Sequence, residues 1–170
     1  TVNSANNGTD GDQGGVLVPS GAREMVDAMA DATHSVGIDA YLAQSSQEGN
    51  IAISAVGLTK SLIVGSLGAG AETQDELVTA MGLPGADAAT LAQTMGELDA
   101  ELQRSSEPGM LQVVPSIWAQ SSADFYADYL DSVAYYFELD IRLVDFMSPD
   151  TARLQINNWY RTQTSGYITE

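Results

Sequence analysis

Nucleophilic hydrolysis needs a base to take a proton from a hydroxyl or thiol, and the sequence offers one histidine for that role, His34. Cysteine is absent, which removes thiol nucleophiles, thiolate metal ligands and disulfides. A Ser-His-Asp site would have to combine His34 with some serine and one of many acids, and no Gly-x-Ser-x-Gly elbow supports it. A structural or solvent-exposed His34 is the simpler reading. Asp10-Gly11-Asp12-Gln13-Gly14 resembles the start of a calcium loop. It lacks the third acidic or amide ligand, however, and Gly21 stands where the bidentate glutamate belongs. Gly65, Gly68 and Gly70 are spaced like a phosphate cradle but have neither a basic residue nor a preceding strand and turn. No catalytic residue, metal ligand or cofactor is therefore assigned, and the chain is read as not an enzyme.

The elements that would carry these residues follow from periodicity. Met25, Val26, Met29, Ala32, Val36, Ala40 and Tyr41 recur at helical spacing up to Leu42, with Gly37 weakening the middle. Gly49-Asn50 is a turn signal, and Ile51–Ser54 is a short strand candidate. Val56–Leu67 is apolar nearly all round, as a helix in the middle of a core would be. Thr73-Gln74-Asp75-Glu76 has the capping-box pattern for a short helix burying Leu77, Val78 and Met81, which Gly82-Leu83-Pro84 stops. Leu91, Met95, Leu98 and Leu102 form the stripe of a further helix, and Ser105–Gly109 reads as a loop. Leu111–Gln120 then changes to a strand period, buried on both faces, with Pro115 in conflict because it removes a ladder donor. Phe125–Phe137 is a helix capped by Ser122 or Asp124, and Leu139–Phe146 a strand. Ser148-Pro149 opens a last helix carrying Ala152, Ile156, Trp159 and Tyr160, ended by Thr164-Ser165-Gly166. Tyr167-Ile168-Thr169 begins something extended. About six helices and two or three strands give an α+β chain with an incomplete sheet.

Charge bounds the partners. Against 23 acidic residues stand 6 basic ones, for a formal net charge of −17 over 170 residues, and Lys60 is the only lysine. Nucleic acid, anionic membranes and sulfated polysaccharides are disfavoured by that surface. The acids are spread along the chain, which favours a solvated acidic surface over a patch for one basic partner. No run approaches the ~20 apolar residues that span a bilayer. Residues 1–20 are expected to be a disordered polar tether, and 21–170 part of a single domain. A tether on a chain that starts at Thr1 suggests a targeting segment removed upstream, hence secretion or a lipid-anchored surface form; a cloning boundary is the rival explanation.

Two stretches resemble serpin sequence, over about Arg23 to Ile168. The first runs from Asn50-Ile-Ala-Ile-Ser54 through Gly57 and Leu67-Gly68-Ala69 to Thr73-Gln-Asp-Glu76-Leu77. It is similar to the strand entering the buried helix B and to the short helix C. The second holds Ser116-Ile-Trp118-Ala-Gln120, similar to strand 2 of sheet A. It continues with a helix-E-like segment, Val144-Asp145-Phe146 closing a strand-1-like segment, and Ile156-Asn157-Asn158-Trp159 ahead of Thr164-Ser-Gly166, similar to the end of helix F. Leu91–Leu102 falls where helix D would be. Ser54 and Asn157 match positions of the shutter, the polar cluster that controls opening of sheet A; a plain set of core hydrogen bonds is an equally good account. The family-motif positions are Asn50, Gly68, Thr73, Trp118, Phe146, Trp159, Thr164 and Gly166. Departures are Ala55 where the family usually has proline, Gly57 where it has serine, and Pro115 where it has asparagine.

The resemblance implies a protease inhibitor of serine-type, or else cysteine-type, endopeptidases. It would act by presenting a reactive-centre loop that is cleaved, acylates the protease and inserts as an extra strand. That loop lies outside this chain, so the target protease and a C-terminal remainder are the implied partners. The piece alone is expected not to inhibit, and to be molten, oligomeric or paired with a separate C-terminal chain, because exposing core side chains forfeits ~25 cal/mol per Å². The helix-D-like segment offers only Arg104, so heparin activation is not expected. The alternative function is a non-inhibitory binding or structural relative of serpins; a hydrolase built on His34 is the remaining, unsupported reading.

Overall fold

The computed structural model describes residues 20–105, 111 and 113–169. The proposed tether and the Asp10–Gly14 segment lie outside the described residues, as do residues 106–109 of the Ser105–Gly109 loop. Six helices are described: α1 (Ser20–Gln44), α2 (Ala55–Leu67), α3 (Ala71–Ala80), α4 (Ala88–Ser105), α5 (Ala127–Phe137) and α6 (Pro149–Gln163). Strands β1 (Ile117–Gln120) and β2 (Ile141–Val144) flank α5 and pair in parallel, Ile117 opposite Ile141 and Gln120 opposite Val144. A parallel pair needs a crossover, and α5 supplies it. The α+β expectation holds.

The core is made by the first four helices. Met29 and Val36 of α1, Ile63 of α2, Val78 of α3 with Met81 at its C-cap, and Leu91, Ala92, Met95 and Leu98 of α4 pack as one buried cluster. The stripes at helical spacing along α1 and α4 therefore face each other as periodicity predicts. Gly37 is explained by that packing: a Cβ there would lie 2.6 Å from the Cβ of Ala55, so α1 meets the start of α2 at a distance only glycine permits. Central α2 buries polar as well as apolar groups, since Thr59, Lys60 and Ser66 are buried with Ile63 and Val64.

Helix ends follow local chemistry, not always the chemistry foreseen. The Thr73–Glu76 capping box does not form. Helix α3 begins two residues earlier, at Ala71 after Gly70, so Thr73 is already inside the first turn and its hydroxyl caps nothing. The stop is as expected: Gly82 takes φ +77°, its amide donates to Thr79 O and that of Leu83 to Val78 O, a Schellman closure. Neither Ser122 nor Asp124 caps α5, which starts after Tyr126 with no side-chain cap and leaves Phe125 outside the helix. Ser148 and Pro149 do open α6, and Ser165 and Gly166, both at positive φ, close it.

The strands are shorter than the period suggests. Ile51–Ser54 is extended at Ser54 but forms no strand, because no described strand lies beside it to complete a ladder. In Leu111–Gln120 only the residues after Pro115 and Ser116 pair, consistent with the missing proline donor, and they are half-buried, not buried on both faces. Tyr167–Thr169 likewise forms no described strand.

Candidate functional site

A cleft of about 760 Å³ separates the outer face of α2 from the segment leading into β1. Ser54, Lys60 and Ser61 line it from the helix side, and Pro115, Ser116 and Trp118 from the strand side. Its floor polarity is set by α2. The Ser54 hydroxyl accepts from the Gly57 amide at 3.1 Å, an N-cap bond that satisfies one orphan donor of the helix. Lys60 is buried and paired with Asp99 of α4. The second Asp99 oxygen, Oδ1, and the Thr59 hydroxyl are buried without a partner among the described residues.

At the strand side, aromatic rings tie α6 to the sheet. Trp118 Nε1 donates to Ser116 Oγ at 2.7 Å, and Ser116 Oγ shares a 2.8 Å hydrogen bond with the Tyr160 hydroxyl. The Trp118 and Trp159 rings meet edge-on at 5.9 Å, and the Arg142 guanidinium lies 4.9 Å from the centre of the Trp159 ring and 6.0 Å from that of Trp118. Arg142 reaches both because parallel register sets it opposite Trp118. A cation over two ring faces is attractive on electrostatic grounds alone.

The C-terminal ends of the two strands are clamped by one carboxylate. Asp145 accepts from Gln120 Nε2 at 3.0 Å, from the Met147 amide at 3.0 Å and from the Ser148 hydroxyl at 2.9 Å, while Gln120 Oε1 accepts from the Phe146 amide. The Gln120 bond, then those from Ser148 and Met147, hold the Asp145 pKa below its ordinary value of 3.8. Asp87 caps α4 by the same chemistry, with the Thr90 hydroxyl and amide lowering its pKa.

The residues singled out in the sequence are distributed unevenly around this site. Ser54 lies on the cleft, Trp118 on its strand wall and Trp159 behind that wall. Asn157 is half-buried on α6, and Ser54 spends its hydroxyl on its own helix, so no direct hydrogen bond joins the two shutter-like positions. Thr164 is buried; its hydroxyl donates to Tyr160 O and accepts from the Ile168 amide, fixing the chain as it leaves α6. Phe146 holds the clamp through its backbone, Gly166 closes α6 at φ +86°, and Gly68 lies under the Tyr129 ring. Asn50 and Thr73 are exposed, and neither makes a described side-chain bond to the cleft. His34 is exposed on α1 and lines a separate apolar groove. Sequence reasoning missed Gln120–Asp145, Lys60–Asp99, Arg142 and Tyr160. Each pairs residues far apart in the chain, and only the lone lysine in a buried-looking helix gave a signal. Among the described residues no cluster of acids and histidine could hold a metal ion, and no helix is long and apolar enough to cross a membrane.

Comparison with known proteins adds the following. Residues 31–170 match the family model described as Serpin (serine protease inhibitor). The chain is 28% identical over 142 residues to a leukocyte elastase inhibitor of Bos taurus, covering 83% of this chain and 37% of that protein. It is 28% identical over 127 residues to serine protease inhibitor 42Dd of Drosophila melanogaster, covering 75% and 34%. Among solved structures, human thyroxine-binding globulin superposes with a TM-score of 0.70 at 21% identity over 87% of this chain and 40% of that one. A cleaved serpin 42Da superposes with a TM-score of 0.67 at 23% identity, over 86% and 38%. The chain thus spans little more than a third of the length of the curated relatives it matches.

Proposed function

Because the chain belongs to the serpin family, we propose that it is the N-terminal portion of a suicide inhibitor of serine-type proteases, supplying the helical bed and first strands on which a cleaved loop inserts. The observation that carries this reading is the family match across residues 31–170. The β1–β2 pair, whose first strand faces α2 across the cleft, supports the reading as the beginning of such a sheet. In this reading the chain contributes no catalytic residue. The protease supplies the nucleophile, the inhibitor's loop is acylated, and strand addition traps the acyl-enzyme before water reaches it. This portion alone does not inhibit, since the bait loop lies elsewhere in the whole protein. Export, as a secreted or surface-tethered form, is part of the proposal and is supported by the polar Gly/Asn/Asp-rich composition of residues 1–15.

The test is to incubate the full-length protein with serine proteases of elastase, trypsin and chymotrypsin specificity and to look for a covalent complex that survives denaturing electrophoresis. A complex at near 1:1 stoichiometry is expected with one of them. Cleavage of the protein as a mere substrate by all three would overturn the reading, and a complex with a cysteine protease alone would reassign its class.

One observation favours a second reading, a non-inhibitory binding protein on the same fold. Gly57 offers no hydroxyl beside Ser54, and Ser54 is turned to its own helix, so the polar network expected to govern sheet opening is thinner here. Gly57→Ser distinguishes the two. A gain in inhibitory stoichiometry marks a weakened inhibitor, and no change in a protein that also forms no complex marks the binding reading.

A further inference from the structure

We propose that a pocket at the C-terminal end of α2, apart from the cleft, binds an arginine side chain of a basic protein partner. The pocket encloses about 440 Å³ between Leu67–Ala69 and the start of α5, and it is lined by Phe125, Tyr126, Tyr129, Asp124 and Asp128. Three aromatic rings and two carboxylates around one hollow are the composition that recognises a planar cation: rings attract it through their faces, and carboxylates accept its forked N–H groups.

Three further features point to a cation. Neither Asp124 nor Asp128 has a basic partner among the described residues, where the ion pairs are Lys60–Asp99 and Arg104–Glu101. Tyr126 is 89% exposed, so its ring at the rim of the hollow is open to a planar cation from outside. The pocket also faces the C-terminal, negative end of the α2 dipole. Asp128 complements the positive start of α5 as well, but two carboxylates and one helix C-terminus outweigh one helix N-terminus.

The walls are fixed. Phe125 stacks on Tyr129 with ring centres 6.0 Å apart and planes inclined by 22°. Tyr129 rests against Gly68, where a Cβ would come within 3.0 Å of the ring, so the glycine sets the ring's place. A net charge of −17 brings basic proteins to this surface, and the pocket gives one of their side chains a defined seat. Arginine suits it better than lysine because the guanidinium is planar, stacks and is more weakly hydrated.

The experiment uses the full-length protein and a fluorescent blocked peptide, Gly-Arg-Gly-Arg-Gly, followed by anisotropy at low ionic strength. Saturable 1:1 binding is expected. The citrulline peptide, equal in shape but uncharged, should not bind, and the lysine peptide should bind more weakly. Asp124→Asn with Asp128→Asn should weaken binding about fivefold, Tyr126→Ala about threefold, and Tyr126→Phe should keep it. The charge-matched control Glu72→Gln with Asp75→Asn, on exposed α3, should change it by less than about twofold. Absence of saturable binding overturns the proposal, and so does equal weakening by the α3 control, which would mean a diffuse field and no site. Unchanged far-ultraviolet circular dichroism of each variant keeps a folding defect from passing as a binding defect. These outcomes are independent of whether the protein inhibits a protease.

Discussion

Asp145 joins four parts of the chain with one carboxylate: the end of β1, the end of β2, the turn after it and the start of α6. Its folded pKa is lowered, so the stability it gives is fully present above the unfolded value near 3.8 and is lost as pH falls through the lower folded value. Asp145→Asn should lower the urea midpoint at pH 7, and the difference from the parent should shrink steadily below about pH 4. Tryptophan fluorescence will report it, because Trp118 lies on the clamped strand. Lys60 and Asp99 make a different case, since both are largely removed from water. Lys60→Met or Asp99→Leu alone leaves a buried charge uncompensated and should cost about 3–5 kcal/mol, whereas the double variant should lie within about 1 kcal/mol of the parent. Chemical denaturation of the four proteins completes the cycle. In the sequence, Lys60 was visible as the lone lysine in an apolar helix, but its partner was not, because Asp99 reads as one more acid on the polar side of α4. Asp145 was visible only as the middle of Val144-Asp145-Phe146; nothing local announces Gln120.

At the scale of elements, legibility tracked how much of each element's environment is local. The stripes of α1 and α4, the Gly82 stop of α3 and the Ser148-Pro149 start of α6 depend on neighbours within a turn or two, and the residues displayed them. The Thr73–Glu76 pattern was locally sound and still did not cap, because Gly70 takes the N-cap place three residues earlier and α3 gains nearly a further turn by starting at Ala71. Strand lengths were least legible: Leu111–Gln120 has the right alternation, but pairing is decided by what lies alongside. Gly37 carries the opposite lesson. Propensity treats it as a defect in α1, worth about 1 kcal/mol to replace by alanine. The contact with Ala55 reverses that sign, so Gly37→Ala should lower stability by about 1–2 kcal/mol in thermal or urea unfolding. The paired variant Gly37→Ala with Ala55→Gly should recover part of the loss.

For the molecule as a whole, the acidic charge is the dominant long-range term. With −17 formal charges the folded state repels itself, and salt shortens the reach of that repulsion from about 10 Å at 0.1 M to about 3 Å at 1 M. The melting temperature should therefore rise between 0.05 and 1 M NaCl, and more than it would for a near-neutral serpin; a flat or falling response would assign the acids to local pairs instead. The family was legible from the order of short blocks along the chain, which no single block carried. The candidate pocket at Phe125–Tyr129 was not, because its wall comes from Gly68 and its carboxylates look like any others in so acidic a chain.

Every member of the buried helical cluster, from Met29 to Leu98, precedes the first residue of β1. During synthesis that cluster can collapse while the rest is still in the ribosome. The parallel pair cannot close until α5 and β2 have both emerged, although the loop it closes, from Ile117 to Ile141, is shorter than the one that joins α1 to α4. The order of making is thus the order of locking: the helical bed can set first, and the two-stranded pair commits only after it.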